Sequence, residues 1–243
     1  MRDGRVVIIT GATGGLGQEI ARRFGRSGCR IVVHCHRNQE AAEKLADELG
    51  TLGAEAIAVR ADVRSLDQMR SMTESALDRW SRLDILVANA AIRSDGLFVR
   101  MTNEAWDSAL DTNLTGVWNG LKAAGETFIK QREGHVVAIG SIAGLQGRAG
   151  QANYAASKAG LIGLIRSAAA EWGPYNIRLN LVFPGVQPTG MTANLSVEQQ
   201  RALTAQNLLD RSTPIIEAAE FVYQLSRMTA VSGQIFNLDS RIP

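Results

Sequence analysis

TGATGGLG (residues 10–17) ends the apolar run RVVIIT (5–10) and leads into QEIARRFGRSG (18–28), which has helical periodicity. A strand that turns into a helix through glycines at 11, 15 and 17 reads as the opening of a β-α-β unit. In that setting each glycine has a task. Gly11 allows a tight turn, Gly15 lets the backbone approach a pyrophosphate, and Gly17 lets the helix pack close to the sheet with its N-terminal N–H groups aimed at the anion. A glycine cluster alone is weak evidence, the alternative being a flexible turn. The strand before it and the helix after it favour the anion-binding reading.

The same alternation runs along the chain. Strand-like runs recur at RIVVHC (30–35), EAIAVR (55–60), LDILVANA (83–90), GHVVAIG (134–140), IRLNLVF (177–183) and QIFNL (234–238), with helical segments such as QEAAEKLADELGTLG (39–53) between them. Strands apolar on both faces belong in a parallel sheet covered by helices. The expected fold is α/β: one doubly wound Rossmann-type domain over residues 1–243, its mainly parallel sheet of about seven strands flanked by helices. Residues 186–212 stand out as an insertion before the last helix and read as a candidate substrate lid. Their Met191, Leu195, Leu203, Leu208 and Leu209 suit an apolar substrate tail or simple packing of the lid onto the body.

Composition narrows the class. The 243 residues are 45% apolar but only 5% aromatic, so Ala, Val, Ile and Leu must build the core. No apolar run approaches the roughly 20 residues of a membrane helix, and the N-terminus lacks the pattern of a secretory signal. A cytoplasmic location is expected. Cys29 and Cys35, with no His or Cys cluster at metal spacing, suggest neither a disulfide framework nor a metal site. Net charge is +2 without a Lys/Arg block, which argues against nucleic acid and is compatible with small anions.

The second strand bears on the choice of cofactor. A carboxylate about 20 residues past the glycine turn would hold the adenosine ribose of NAD. Here HCHRN (34–38) offers no acid; Cys35 lies 18 residues past Gly17 and Arg37 follows, flanked by His36 and Asn38. An arginine there can fork onto a 2′-phosphate. NADP(H) is therefore expected over NAD(H), the alternative being a solvated loop charge.

SIAGLQGRAGQANYAASKAG (141–160) supplies the chemistry. Tyr154 and Lys158, four apart on a helix, lie about 40° apart around its axis and share a face. A nearby ammonium favours a phenolate, so the pair can exchange a proton with a substrate oxygen. Ser141, after the run VVAIG (136–140), can hold the same oxygen. Hydride would come from a nicotinamide. Y-x-x-x-K alone is more often a helix-surface pair; the serine, the glycine turn and the second strand, in this order, favour the functional reading.

Together these motifs resemble the short-chain dehydrogenase/reductase family over essentially the whole chain. Its T-G-x-x-x-G-x-G corresponds to Thr10–Gly17, and its serine and Y-x-x-x-K to Ser141, Tyr154 and Lys158, with 13 positions from Ser141 to Tyr154. The resemblance implies that Thr10, Gly11, Thr13, Gly15, Leu16 and Gly17 hold the cofactor. It adds Arg37, Asp62 and Val63 toward the adenosine, Asn89, and Pro184, Gly185, Val186 and Thr189 toward the nicotinamide, with Tyr154 and Lys158 also touching the cofactor. It implies that Asn113 helps a water chain reach the lysine, and it implies no metal.

Within the family, GQANYAASKAGLIGL and SGQIFNLDS resemble the β-ketoacyl-[acyl-carrier-protein] reductases. That resemblance implies NADPH-dependent reduction of a 3-oxoacyl thioester, in fatty acid or polyketide biosynthesis, by a homotetramer that can receive its substrate from acyl carrier protein. Lys130, Arg132 and Arg148 are then candidate contacts for an acidic carrier, or ordinary surface charge. The sequence departs from that pattern at Ala88-Asn89-Ala90-Ala91, at Gly14 and at Asp239-Ser240, which is followed by Arg241; the altered tail is expected to pack differently, as at a subunit interface. Dehydrogenation of a free alcohol, steroid or sugar, and a non-catalytic cofactor-binding scaffold, are the competing readings.

Overall fold

Strand residues alternate between the two sides of a parallel sheet, and this divides the core. The computed structural model describes residues 3–186, 205, 207–209 and 211–241. Among them, β1 (Val6–Ile9), β2 (Arg30–Cys35), β3 (Glu55–Arg60), β4 (Ile85–Ala88), β5 (Gly134–Ile139), β6 (Ile177–Phe183) and β7 (Ile235–Asn237) form one sheet. Its order is β3-β2-β1-β4-β5-β6-β7 and every neighbouring pair is parallel.

Helices cover both faces. Val6 and Ile8 enter the core under α3 (Leu66–Trp80), α5 (Gly116–Gln131) and α7 (Ala152–Trp172), against Met69, Leu121, Phe128 and Leu161. Val7 and Ile9 enter the opposite core under α1 (Gly15–Arg26), α2 (Gln39–Thr51) and α8 (Ile215–Leu225), against Ile20, Phe24, Leu49 and Val222. The doubly wound sheet read from the sequence is the observed one, and it is wholly parallel. The edge strand β3 is half-buried because neighbours cover it on one side only.

Element ends differ from the sequence reading for local reasons. Helix α1 begins at Gly15, inside the glycine turn. Asn38 caps α2, its Oδ1 accepting from Ala41 N at 3.0 Å. Strand β4 stops at Ala88, so Asn89 and Ala90 belong to the turn beyond it. The short α4 (Asn103–Leu110) runs into α5 through a wider π turn, Asp111–Thr115. The four-residue α6 (Ala143–Gln146) follows β5. Of the candidate lid, Val186, Leu208 and Leu209 are described, whereas Met191, Leu195 and Leu203 lie outside the described residues. No helix among the described residues is long and apolar enough to cross a membrane.

Two histidines in the strands are buried without charge. His34 and His135 are each 1% exposed. Burial lowers the pKa of His34 and, with the nearby Arg178 and Arg5, pushes that of His135 down to about 3. Both titrate near pH 6.5 once unfolded. The unfolded chain therefore binds more protons below that pH, and stability that is complete above pH 6.5 falls as the pH drops toward the folded values. Urea unfolding should lose about 2 kcal/mol through His135 between pH 7 and pH 5. The His135→Asn protein should lose less over the same range, and an equal slope in both proteins would contradict this account.

Candidate active site

The C-terminal ends of the strands open into a cavity of about 1100 Å³. At one end it is bordered by the glycine turn. Gly11 takes φ +62°, and a Cβ there would stand 2.9 Å from Ala90 Cα. A Cβ on Gly17 would lie 2.3 Å from Gly11 O and 2.8 Å from Ala12 Cα, so helix α1 can start this close to the turn only with glycine. Gly14 at the helix N-cap offers no side-chain bond, and the first turn carries no acid. The N-terminal N–H groups and the helix dipole are left for an anion.

Neutral side chains fasten this turn. The Thr10 hydroxyl accepts from Asn89 N at 2.9 Å and Ala90 N at 3.0 Å, while Asn89 Nδ2 donates to Thr10 O and Gly11 O. His34 Nδ1 accepts from Gly11 N at 2.9 Å, and His34 Nε2 lies 2.9 Å from Ala61 O. That geometry sets the tautomer with the proton on Nε2. The histidine joins the first, second and third strand ends.

Past the ends of β2 and β3 the cavity is lined by His36, Arg37, Asn38, Asp62, Val63 and Arg64. Arg37 is exposed there. The hydrogen-bonded Arg64 guanidinium holds Asp62 below the usual carboxylate range despite some burial. Val63 is buried beneath Gly116, where a Cβ would meet Val63 Cγ2 at 2.7 Å.

On the other side lie Ser141, Tyr154 and Lys158. Lys158 is 2% exposed; its Nζ donates to Ile139 O at 2.7 Å and sits 5.8 Å from the centre of the Tyr154 ring. Burial pushes its ammonium down to about 8. Gly144 seats the loop after Ser141 on this helix, since a Cβ there would meet Ala159 N at 2.7 Å. The sequence led us to expect a tyrosine made more acidic by the lysine. Instead, burial pushes the Tyr154 phenol up, and the opposing influences are the Ser141 hydroxyl and the Arg93 charge. The phenol is therefore a weaker acid here than a free tyrosine.

Asn113 is fully buried in the π turn. Its Oδ1 accepts from Ile92 N at 2.8 Å, and its Nδ2 donates to Ile92 O and to Ser157 Oγ. Ser157 Oγ in turn donates to Tyr154 O at 2.8 Å. Asn113 thus ties the loop after β4 to the tyrosine helix. Asn153 does the same work one loop on, donating to Ser94 O and Ala105 O and accepting from Tyr154 N.

Gly11, Thr13, Gly15, Leu16, Gly17, Arg37, Asp62, Val63, Asn89, Ser141, Tyr154, Lys158, Pro184, Gly185 and Val186 all line the one cavity. Thr10 and Asn113 are outside the lining and position what lies within it. Thr189 lies outside the described residues. Lys130 and Arg132 precede β5, at the N-terminal edge of the sheet, away from the strand ends that form the cavity. They do not stand at its mouth, whereas Arg148 lines it. Sequence reading missed His34, Arg64, Arg93 and Gln151 as parts of this site. Their position just past or at the end of a parallel strand, or just before the tyrosine, was the available signal.

A family model for short chain dehydrogenases matches residues 5–200. The chain belongs to the short-chain dehydrogenase family. It is 35% identical over 235 residues to a 3-oxoacyl-[acyl-carrier-protein] reductase of Synechocystis, covering 97% of this chain and 95% of that protein. It is 34% identical over 241 residues to the enzyme of the same description from Staphylococcus aureus, covering 98% of each. One from Staphylococcus epidermidis is 33% identical over 234 residues, covering 96% of each.

As a short-chain dehydrogenase the protein is an oxidoreductase that uses NAD(P)(H). The residues present fit such a dinucleotide, because the turn is a cradle that a Cβ at 11 or 17 would fill and the helix behind it is uncapped. The altered tail also finds its place. Asp239 is buried beside Gly185, with Cβ atoms that would be 3.1 Å apart, and Leu208 N donates to Ser240 O. The tail folds against the cavity and Arg241 lines it.

Gly17→Ala should cost about 1–3 kcal/mol in overpacking and weaken cofactor binding at least about tenfold. Thermal unfolding and fluorescence titration with NADPH measure the two effects, and an unchanged affinity would contradict the close approach of turn and helix.

Proposed function

We propose that the protein is an NADP(H)-dependent ketone reductase acting on a 3-oxoacyl thioester. The observation that carries the reductive reading is the half-buried Tyr154 phenol, pushed above its ordinary range by burial, in one cavity with Ser141 and Lys158. A group that keeps its proton is suited to give it to a ketone oxygen. Oxidation of an alcohol would ask the same residue to begin as the base.

NADPH, when bound, supplies the hydride to the carbonyl carbon. The Ser141 hydroxyl donates to the carbonyl oxygen and orients it. As that oxygen gains charge, the Tyr154 O–H gives it a proton, leaving a phenolate. Lys158, anchored on Ile139 O, supplies the positive charge that stabilises this phenolate. Asn113 holds Tyr154's helix against the loop after β4 and is the residue to which we assign the water chain toward Lys158. Thr13, Gly15, Leu16 and Gly17 receive the pyrophosphate on Gly11's turn, Asp62 and Val63 border the adenine, and Pro184, Gly185, Val186 and Thr189 border the nicotinamide.

Arg37 supports NADP(H), because the adenosine side offers it without a carboxylate from the second strand. The thioester is supported by the curated relatives, which are 3-oxoacyl-[acyl-carrier-protein] reductases. We assign a homotetramer on the exposed Phe98, Val99 and Trp118, 79%, 91% and 49% accessible, which a second copy would cover.

With a short 3-oxoacyl thioester, NADPH should be oxidised at least about tenfold faster than NADH, and Arg37→Gln should remove most of that preference. Tyr154→Phe should lower kcat about 10²–10⁴-fold while NADPH still binds. Absence of turnover with either cofactor, with NADPH bound tightly, would remove the thioester assignment. The Lys158 ammonium must be charged to stabilise the phenolate and loses its proton at about 8. Reductive kcat/KM should therefore fall as the pH rises above that value. A flat profile from pH 7 to 9.5 would contradict the role of Lys158.

A further inference from the structure

The substrate half of the cavity holds more positive charge than proton transfer requires. Arg93, Arg148 and Arg241 line it together with Ser141, Gln151 and Tyr154. They come from three separate places: the loop after β4, the loop after α6 and the tail after β7. Asp95 pairs with Arg93 and Asp239 with Arg241, but neither carboxylate lines the cavity. The arginines border the cavity and their acids do not. Among the described residues, Arg148 has no carboxylate within ion-pair distance. Partial burial and the charges of Arg93 and Arg241 draw its pKa down, with Asp95 opposing.

The three side chains are held there by their loops. Gly96 N donates to Gly150 O at 2.9 Å and Gln151 Nε2 donates to Asp95 Oδ2 at 3.0 Å, which joins the Arg93 and Arg148 loops. Asp239 Oδ1 accepts from Arg241 N, and Asn237 Nδ2 donates to Arg241 O at 2.9 Å, which turns the tail back. This cluster is distinct from the cationic residues Arg37 and Arg64. Those follow β2 and β3, on the other side of β1 in the sheet.

We infer that Arg148, backed by Arg93 and Arg241, binds an anionic group, a carboxylate or phosphate, carried by the carbonyl substrate. The inference rests on the reductase reading for the word substrate and on the cavity for the site. Two sources share this chemistry: a carboxylate on the substrate's own chain, and the phosphate of a pantetheine arm. An arginine forks onto either.

Calorimetric titration of the NADP⁺-loaded protein separates these sources without any turnover. The probes are pantetheine 4′-phosphate against pantetheine, and glutarate against dimethyl glutarate. At least one anion should bind about tenfold or more tightly than its neutral counterpart. The phosphate pair discriminating alone identifies a carrier arm, and the glutarate pair alone identifies a carboxylate substrate. Arg148→Gln should abolish the discrimination and Arg148→Lys should keep part of it, with NADP⁺ affinity unchanged in both. No discrimination in either pair, or discrimination that survives Arg148→Gln, overturns the inference. Discrimination in a protein that reduces no thioester keeps the anion site and removes the thioester reading.

Discussion

Every connection between neighbouring parallel strands must cross back over one face of the sheet, and this places each strand's C-terminal turn on the same edge. In this protein that constraint gathers the glycine turn after β1, the Arg37 loop after β2, the Asp62 loop after β3, the Asn89 loop after β4, Ser141 after β5 and Pro184 after β6. Residues more than 170 positions apart in the sequence, Gly11 and Pro184, border one cavity. The same constraint sends Lys130 and Arg132 to the opposite edge. An arginine before a strand and an arginine after one look alike in the sequence, but the crossover separates them by the length of the strand.

An edge made of loops needs fastening, since buried loop backbone must find hydrogen-bond partners. The protein uses neutral side chains for this. Thr10, Asn89, His34, Asn113 and Asn153 are spent on backbone groups of neighbouring loops. Leaving one such buried group unpaired costs about 1–3 kcal/mol. That cost over-determines the position of each loop and so of the reactive side chains mounted on them. Neutrality matters as well: a charged His34 would place a second donor against Gly11 N, where the turn needs an acceptor.

Among the described residues, charged side chains also line the cavity. Lys158 is buried with a carbonyl, not a carboxylate, as its hydrogen-bond partner, so its field is available to Tyr154. The lining arginines fall in two groups, Arg37 and Arg64 after β2 and β3, and Arg93, Arg148 and Arg241 after β4, α6 and β7. A low-dielectric cleft focuses such a field, which favours ligands with an anion at each end. The departure of the tail at Asp239-Ser240, followed by Arg241, becomes intelligible in these terms, since the buried Asp239 is paired with an arginine that lines the cavity.

The sequence by itself determined the fold class, the strand order of appearance, the cofactor turn and the Ser141, Tyr154 and Lys158 set. These rest on local rules: apolar runs of strand length, glycines where a strand meets a helix, and a four-residue spacing that puts two side chains on one helical face. The tertiary structure decided what depends on contacts between distant segments. It showed Asn113 and Thr10 to be fasteners outside the lining, and it reversed the expected direction for the tyrosine, because burial by surrounding elements outweighs the Ser141 hydroxyl and the Arg93 charge. It also assembled Arg93, Arg148 and Arg241, which lie on three loops of a sheet whose spatial order no local pattern contains. Desolvation and charge clustering arise only when separate segments pack, so neither is written in a spacing of residues.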